Sequence, residues 1–224
     1  MLKKIKVAEI VLDFSLYPRI DVDEQHVRYI VGALEAKQEM PPVVVDAKSL
    51  RCVDGFHRTR AYLRLYGGDH QVSAEAKHYG SDSEMLLDAI RFNASHGRML
   101  TSADRAHCII QCEKLKLEPV MIASALNMTT EKYTELRVGR IGKVGKSGQR
   151  LVALKQTIQH MAGRTLTPQQ AETNKHLGGM NPGFYANQLI MLIESDLIDT
   201  SNEELMERLK KLASLIRGMK AAAA

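Results

Sequence analysis

The chain has 224 residues, 45% of them apolar, which suffices for a sizeable core and exceeds what one small module needs. It has no run of 18 apolar residues, and its basic start, Met1-Leu2-Lys3-Lys4-Ile5-Lys6, lacks the apolar stretch of a signal peptide; a cytoplasmic protein with no membrane partner is expected. Three cysteines exclude a disulfide framework, and the net charge of +5 is uneven: residues 91–150 hold 11 basic and 5 acidic residues, whereas residues 1–90 hold 12 and 14. A cationic middle third points to a polyanion as partner.

In chain order, residues 5–12 read as a short strand, broken at Tyr17-Pro18-Arg19. From Asp23 the apolar spacing of Val27, Ile30, Val31 and Leu34 is helical, and Pro41-Pro42 ends that helix. Val43-Val44-Val45 is a buried strand, residues 50–53 its return, and Asp54-Gly55 a tight turn. A helix over 58–65 stops at Gly67-Gly68, and 72–78 is a further strand. This alternation predicts a small α/β domain over residues 1–80. The remainder is helical, so the fold class is α+β. Ser81 with Glu84, and Thr101 with Asp104, have capping-box spacing and open helices over 84–95 and 102–115. A helix-turn-helix domain is expected over 81–141. Glycines at 139, 142, 145 and 148 argue for a flexible basic linker over 142–150. A C-terminal helical unit then fills 151–224, with helices over 168–176, 183–195 and 202–217 and a terminal Ala221–Ala224 run outside the fold. Cys108 and Cys112, one helical turn apart with His107 beside them, are too few for a metal site and read as small buried side chains; no metal ligands are expected.

The segment Asp54-Gly55-Phe56-His57-Arg58-Thr59-Arg60-Ala61 follows a strand and opens a helix. Unpaired N–H groups and the helix dipole favour an anion there, Gly55 lets the backbone turn, and His57, Arg58 and Arg60 add donors. The plainer alternative is an ordinary strand-to-helix turn with a solvated basic helix. Tyr17-Pro18-Arg19, the Pro42-Val43-Val44-Val45 strand and the Gly55-Phe56-His57-Arg58 turn together resemble the N-terminal domain of the ParB partition proteins and the related sulfiredoxin-like fold. The resemblance covers about residues 5–80 and continues through the helices to about 141. It implies a nucleotide site at Gly55, Phe56, His57, Arg58, Arg60 and Asn93, with CTP or ATP and magnesium as cofactor. The chain departs from the family pattern three times. Phe56 stands where partition proteins carry a glutamate, His57 where they carry the first of two arginines, and Phe92-Asn93 where they carry Glu-Asn, so two oxygen ligands for a hard cation are missing. Sulfiredoxins carry a catalytic cysteine where this chain has Phe56. Kinases of the same fold transfer phosphoryl groups, so a nucleotide-dependent phosphotransferase or hydrolase is the rival reading; Glu35, Glu39, Asp54 and His57 are its candidate bases. A nuclease would need an acidic metal cluster that no spacing suggests.

Residues 119–138 fit a helix-turn-helix. Pro119 starts the first helix, and Ala123 is small where the helices cross. Asn127 suits a left-handed turn position, and Thr129 caps the second helix. Ile122, Leu126, Tyr133 and Leu136 form the buried face. Thr129, Thr130, Lys132, Thr134 and Arg137 would face a major groove, with Arg137, Arg140, Lys143, Lys146 and Arg150 following without an acidic residue between them and able to track phosphates. Glu131 and Glu135 on that face favour the alternative of a hairpin used only for packing. Leu205, Leu209, Leu212 and Ile216 repeat at coiled-coil-like spacing behind a Ser201–Glu204 cap and suggest a homodimer. The expected partners are DNA, nucleotide and, from the resemblance, a partition ATPase.

Overall fold

The computed structural model describes residues 2–95, 99–145, 148–176 and 182–221. The chain forms two compact units, Met1–Gly179 and Met180–Ala224. The first is α+β. Its strands β1 (Leu2–Lys6), β2 (Val43–Asp46), β3 (Cys52–Asp54) and β4 (Gln71–Lys77) make one sheet in the order β1-β4-β2-β3. β1 pairs antiparallel with β4, β4 parallel with β2, and β2 antiparallel with β3. The strand expected over 5–12 lies earlier: β1 ends at Lys6 and a single 3-10 turn, Val7–Glu9, follows.

The Val43-Val44-Val45 run is apolar throughout because both faces of β2 are covered. Val43 and Val45 join Ile5, Phe56, Val72 and Ala74 on one face, where α1 (Glu24–Glu35) and α2 (Phe56–Tyr66) extend the packing through Val27, Leu34 and Ala61. Val44 and Val53 face the opposite way, into α3 (Asp82–Ser95), α4 (Ser102–Lys114), α5 (Pro119–Ala125) and α6 (Thr130–Gly139). The boundary expected near residue 80 therefore does not separate two cores. The 13–21 segment stitches the halves together. The Gln111 amide donates to the carbonyls of Phe14, Ser15 and Tyr17 at 3.4, 3.1 and 3.3 Å, and the Cys108 thiol to Pro18 at 3.1 Å. Both Cys108 and Cys112 are buried, as expected; burial pushes the Cys112 thiol up to about 12 and Cys108 well above its ordinary value.

The largest correction concerns the basic linker expected over 142–150: among its described residues, 142–144 and 150 are strand. β5 (Ile141–Val144) and β6 (Arg150–Ala153) pair antiparallel, from Ile141 opposite Ala153 to Val144 opposite Arg150. The unit expected to be all helical from 151 instead continues with β6 and a 3-10 segment, Gln156–Met161, before α7 (Pro168–His176). Two of the glycines have defined roles there: a Cβ on Gly142 would lie 2.7 Å from Leu166 Cδ1, and Gly148 adopts a left-handed φ of 65°. The second unit carries α8 (Pro182–Glu194) and α9 (Glu203–Ala221). Asn202, not Ser201, caps α9: its side-chain oxygen accepts from the Leu205 N–H at 3.0 Å. No helix among the described residues is long and apolar enough to cross a membrane.

His107 on α4 is half-buried, and that burial holds its pKa below the ordinary histidine value despite the nearby Asp104 charge. Its folded pKa is depressed, so it costs nothing above the unfolded value of about 6.5 and opposes folding as pH falls below it. The thermal midpoint should drop between pH 7 and pH 5, and His107→Gln should flatten that drop. An unchanged pH profile in the variant would assign the acid sensitivity elsewhere.

Candidate functional site

Gly55 starts the site. It N-caps α2 at φ 107° and ψ 24°, a left-handed conformation that turns the chain sharply from β3 into the helix. No side chain caps this N-terminus. The turn borders a cavity of about 590 Å³, within the range of small-molecule pockets. Gly55, Phe56, His57, Arg58 and Asn93 all line it, together with Tyr17-Pro18-Arg19 from the 13–21 segment. Of the six residues implied for this site, five thus come together. Arg60 does not: its guanidinium bonds Glu24 Oε1 at 2.7 Å, tying α2 to α1, and Arg64 holds the other oxygen of Glu24. These two cations pull the Glu24 carboxyl below its usual range.

Each remaining group has a defined state. The Phe56 ring is buried against Tyr17, with ring centroids 4.6 Å apart, so its ring packs the core and only its backbone N–H points to site chemistry. His57 Nε2 accepts from the Asp23 N–H at 3.4 Å and lies 3.3 Å from the Tyr17 hydroxyl. An accepting Nε2 puts the neutral ring's proton on Nδ1. The His26 ring stands edge-on to it at 5.0 Å, and His26 in turn stacks on Tyr29, which is 75% exposed at the cavity rim. Arg58 commits three of its five N–H donors to the protein: two to the carbonyls of Pro41 and Pro42 at 2.6 and 2.8 Å, one to Asp54 at 2.7 Å. It therefore braces the entry to β2 as well as facing the cavity. The Asn93 amide donates to its own helix at Ala89, 2.9 Å away. Lys77, which the sequence reading did not single out, sits 4.6 Å over the Phe92 ring. No spacing rule pairs a strand lysine with a helix aromatic 15 positions on.

Magnesium fits this donor set poorly. Phe56 and Phe92 occupy the positions where acidic ligands are implied, and Asp54 is engaged by Arg58. Among the described residues no three His, Cys, Asp or Glu side chains gather as a metal site. Of the candidate bases for phosphoryl transfer, Glu35 and Glu39 are exposed and lie outside the residues lining the cavity.

The second candidate site is the α5–α6 pair. Asn127 takes φ 51° in the turn, and the Thr129 hydroxyl accepts from the Lys132 N–H at 3.3 Å. Ala123, Ile122, Leu126, Tyr133 and Leu136 are buried as the motif requires. Arg105 of α4 locks the turn by donating to the Leu126 carbonyl at 2.7 Å. Thr129, Thr130, Lys132, Thr134 and Arg137 are all exposed. Two are engaged by carboxylates: Lys132 pairs with Glu135 at 2.7 Å, and Arg137 with Glu113 at 2.6 Å. The Tyr133 hydroxyl donates to the same Glu113, and burial with that contact raises its pKa to about 12. Arg140 departs from the expected phosphate track. It caps α6, is half-buried, and lines a separate cavity of about 280 Å³ with Lys155, Asp104 and the first turn of α4. Lys143 is exposed on β5; Lys146 lies outside the described residues.

No family model matches the chain, and no curated protein does. Among solved structures it is similar to the C-terminally truncated chromosome-partitioning protein ParB from Caulobacter crescentus complexed with CTP-γ-S. That match has 16% identity and a TM-score of 0.39, over 61% of this chain and 76% of that one. The same protein complexed to the centromeric parS site matches with 16% identity and a TM-score of 0.43, over 60% of this chain and 69% of that one. A pNOB8-like ParB N-domain matches with 12% identity and a TM-score of 0.42, over 80% of this chain and 60% of that one.

Proposed function

We propose that this chain is a ParB-like DNA-binding protein whose engagement of DNA is modulated by a nucleotide, in partition or in regulation. The observation that carries the DNA reading is the α5–α6 geometry. A left-handed Asn127, a Thr129 cap and a buried Ala123 crossing leave Thr130, Lys132 and Thr134 exposed on one short helix. The cationic stretch that follows supplies sequence-independent attraction. The nucleotide reading rests on the uncapped α2 N-terminus beside a cavity of suitable size, with His57 and Arg58 at its edge. CTP and ATP both fit this chemistry, with any magnesium carried by the phosphates. The exposed Leu212, Leu215 and Ile216 of α9 support a homodimer, which suits a two-fold DNA site. The resemblance supports a partition ATPase as partner, and residence in the cytoplasm is the reading of a chain with neither a long apolar run nor a signal-like start.

Calorimetric titration with CTP, ATP, ADP and GTP, with and without magnesium, tests the nucleotide reading. One nucleotide should bind. Arg58→Lys should weaken it about 10- to 100-fold, the worth of a charge-assisted hydrogen bond that a lysine cannot make in the same fork. Lysine keeps the charge beside Asp54, so the folded state is better preserved than with alanine. Absence of binding by every nucleotide would remove the α2 turn from the function and leave the DNA reading on α6 alone. Turnover that vanishes in His57→Ala would instead favour the phosphotransferase or hydrolase.

A further inference from the structure

The β5–β6 hairpin is built directly onto the helix-turn-helix. β5 starts one residue after α6 ends, with Arg140 between them. The root of the hairpin is buried: Ile141 and Ala153 belong to the same apolar cluster as Ile109 of α4 and Tyr133 and Leu136 of α6. Residues 163–166 add a third edge. The Gly163 N–H donates to the Ile141 carbonyl at 2.9 Å, Lys143 N–H to Arg164 at 2.9 Å, and Leu166 N–H to Lys143 at 2.8 Å, with Lys143 and Thr165 in a parallel bridge. These bonds hold the hairpin in place beside α6. A four-residue strand spans about 13 Å, long enough to carry a side chain beyond the footprint of α6 itself.

The hairpin and the 163–166 edge carry exposed cations. From residue 136 to residue 171 the chain has seven basic residues and no acidic one. Lys155 is paired with Asp21 and Arg140 is half-buried, but Lys143, Arg150 and Arg164 are exposed, and no ion pair engages them among the described residues. The register puts Lys143 on the face of Ile141 and Leu151, and Arg150 and Arg164 on the opposite face, so cations flank the hairpin on both sides. Among the described residues of 141–166 no large apolar side chain is exposed, which argues against insertion into a lipid surface.

We propose that this hairpin is a wing that grips the phosphate backbone of duplex DNA beside the groove entered by α6, with Arg150 and Arg164 as phosphate contacts. The proposal rests on the DNA reading above and extends it to a second element. Its contribution is positional: phosphate contacts fix register and orientation without reading bases.

The test uses the full chain, AT-rich and GC-rich duplexes of about two helical turns, and fluorescence anisotropy across a salt series. Arg150→Ala with Arg164→Ala removes two phosphate contacts, so the slope of log affinity against log salt should become shallower by about 1.8. Affinity should fall equally on both duplexes, and the thermal midpoint should hold because both side chains are exposed. Arg150→Gln with Arg164→Gln should reproduce the slope change, which separates charge from local packing. A wild-type slope in both folded variants overturns the wing and leaves the α6 reading intact. A wild-type chain that binds neither duplex overturns both.

Discussion

Gly55→Ala should unfold more readily than any other single-methyl addition in the first unit. A Cβ at this position would lie 2.7 Å from Cγ1 and 3.1 Å from Cβ of Val43, which is fully buried in the central strand β2. Neither atom can yield, since Val43 packs among Val45, Phe56 and Val72 and its backbone is held in the parallel pairing with β4. The φ of 107° adds a second cost, because side-chain-bearing residues rarely adopt it. Backbone strain of about 1–3 kcal/mol and overpacking of about 1–3 kcal/mol give a combined loss of about 2–6 kcal/mol. Urea denaturation should show a lower midpoint with an unchanged m-value. A double-mutant cycle with Val43→Ala distinguishes the two causes: relief of the clash makes Gly55→Ala less costly in the Val43→Ala background, whereas pure backbone strain leaves the cost unchanged. A loss below about 1 kcal/mol in the wild-type background would contradict both.

What could be read from the sequence divides along the range of the interactions involved. The α5–α6 turn was legible because its chemistry is local: Asn127 tolerates a left-handed φ and Thr129 caps the N–H three residues ahead. Gly55 was legible for the same reason. The hairpin was not. Glycines at 142 and 148 look like flexibility in one dimension, but Gly142 is small because Leu154 and Leu166 close over it, and Leu166 is 24 residues away. The fate of the arginines was also hidden. Arg60 and Arg137 read as anion-binding donors, yet the fold brings them Glu24 and Glu113 from 36 and 24 positions away. β3 starts at Cys52 rather than Leu50 because Leu50 takes a left-handed φ of 55° in the preceding turn, which its side chain gives no reason to expect. The cavity at the α2 turn occupied an intermediate position: its turn was visible, whereas its wall from Tyr17 depends on how the 13–21 segment packs against α4, and its wall from His26 on how α1 packs beside α2.

That packing concentrates on one carboxylate, and Asp104→Ala should cost about 3–5 kcal/mol, the scale for breaking a buried ion pair from one side. The sequence marks Asp104 only as the third residue of a capping box, and it does serve that role. One oxygen accepts from the Thr101 N–H at 3.0 Å and the Thr101 hydroxyl at 2.8 Å. The structure gives it two further tasks. The other oxygen accepts from the Ile20 N–H at 3.1 Å, and the carboxylate lies 3.8 Å from the Arg19 guanidinium, with Arg19 only 6% exposed. A capping change alone would cost about 1 kcal/mol, so the excess measures how far the carboxylate secures the 13–21 segment. Asp104→Asn keeps an acceptor for Ile20 and removes the charge. If the ion pair dominates, the asparagine variant should lie near the alanine variant; if the hydrogen bonds dominate, it should lie near wild type. Because Tyr17 and Arg19 border the cavity proposed to hold a nucleotide, either variant that loosens the segment should also weaken the proposed nucleotide binding while Thr129→Ala, a cap change in the α5–α6 pair, leaves it untouched. Equal stability of Asp104→Ala and wild type would show that the segment is held by Gln111 and the apolar contacts of Leu16 instead.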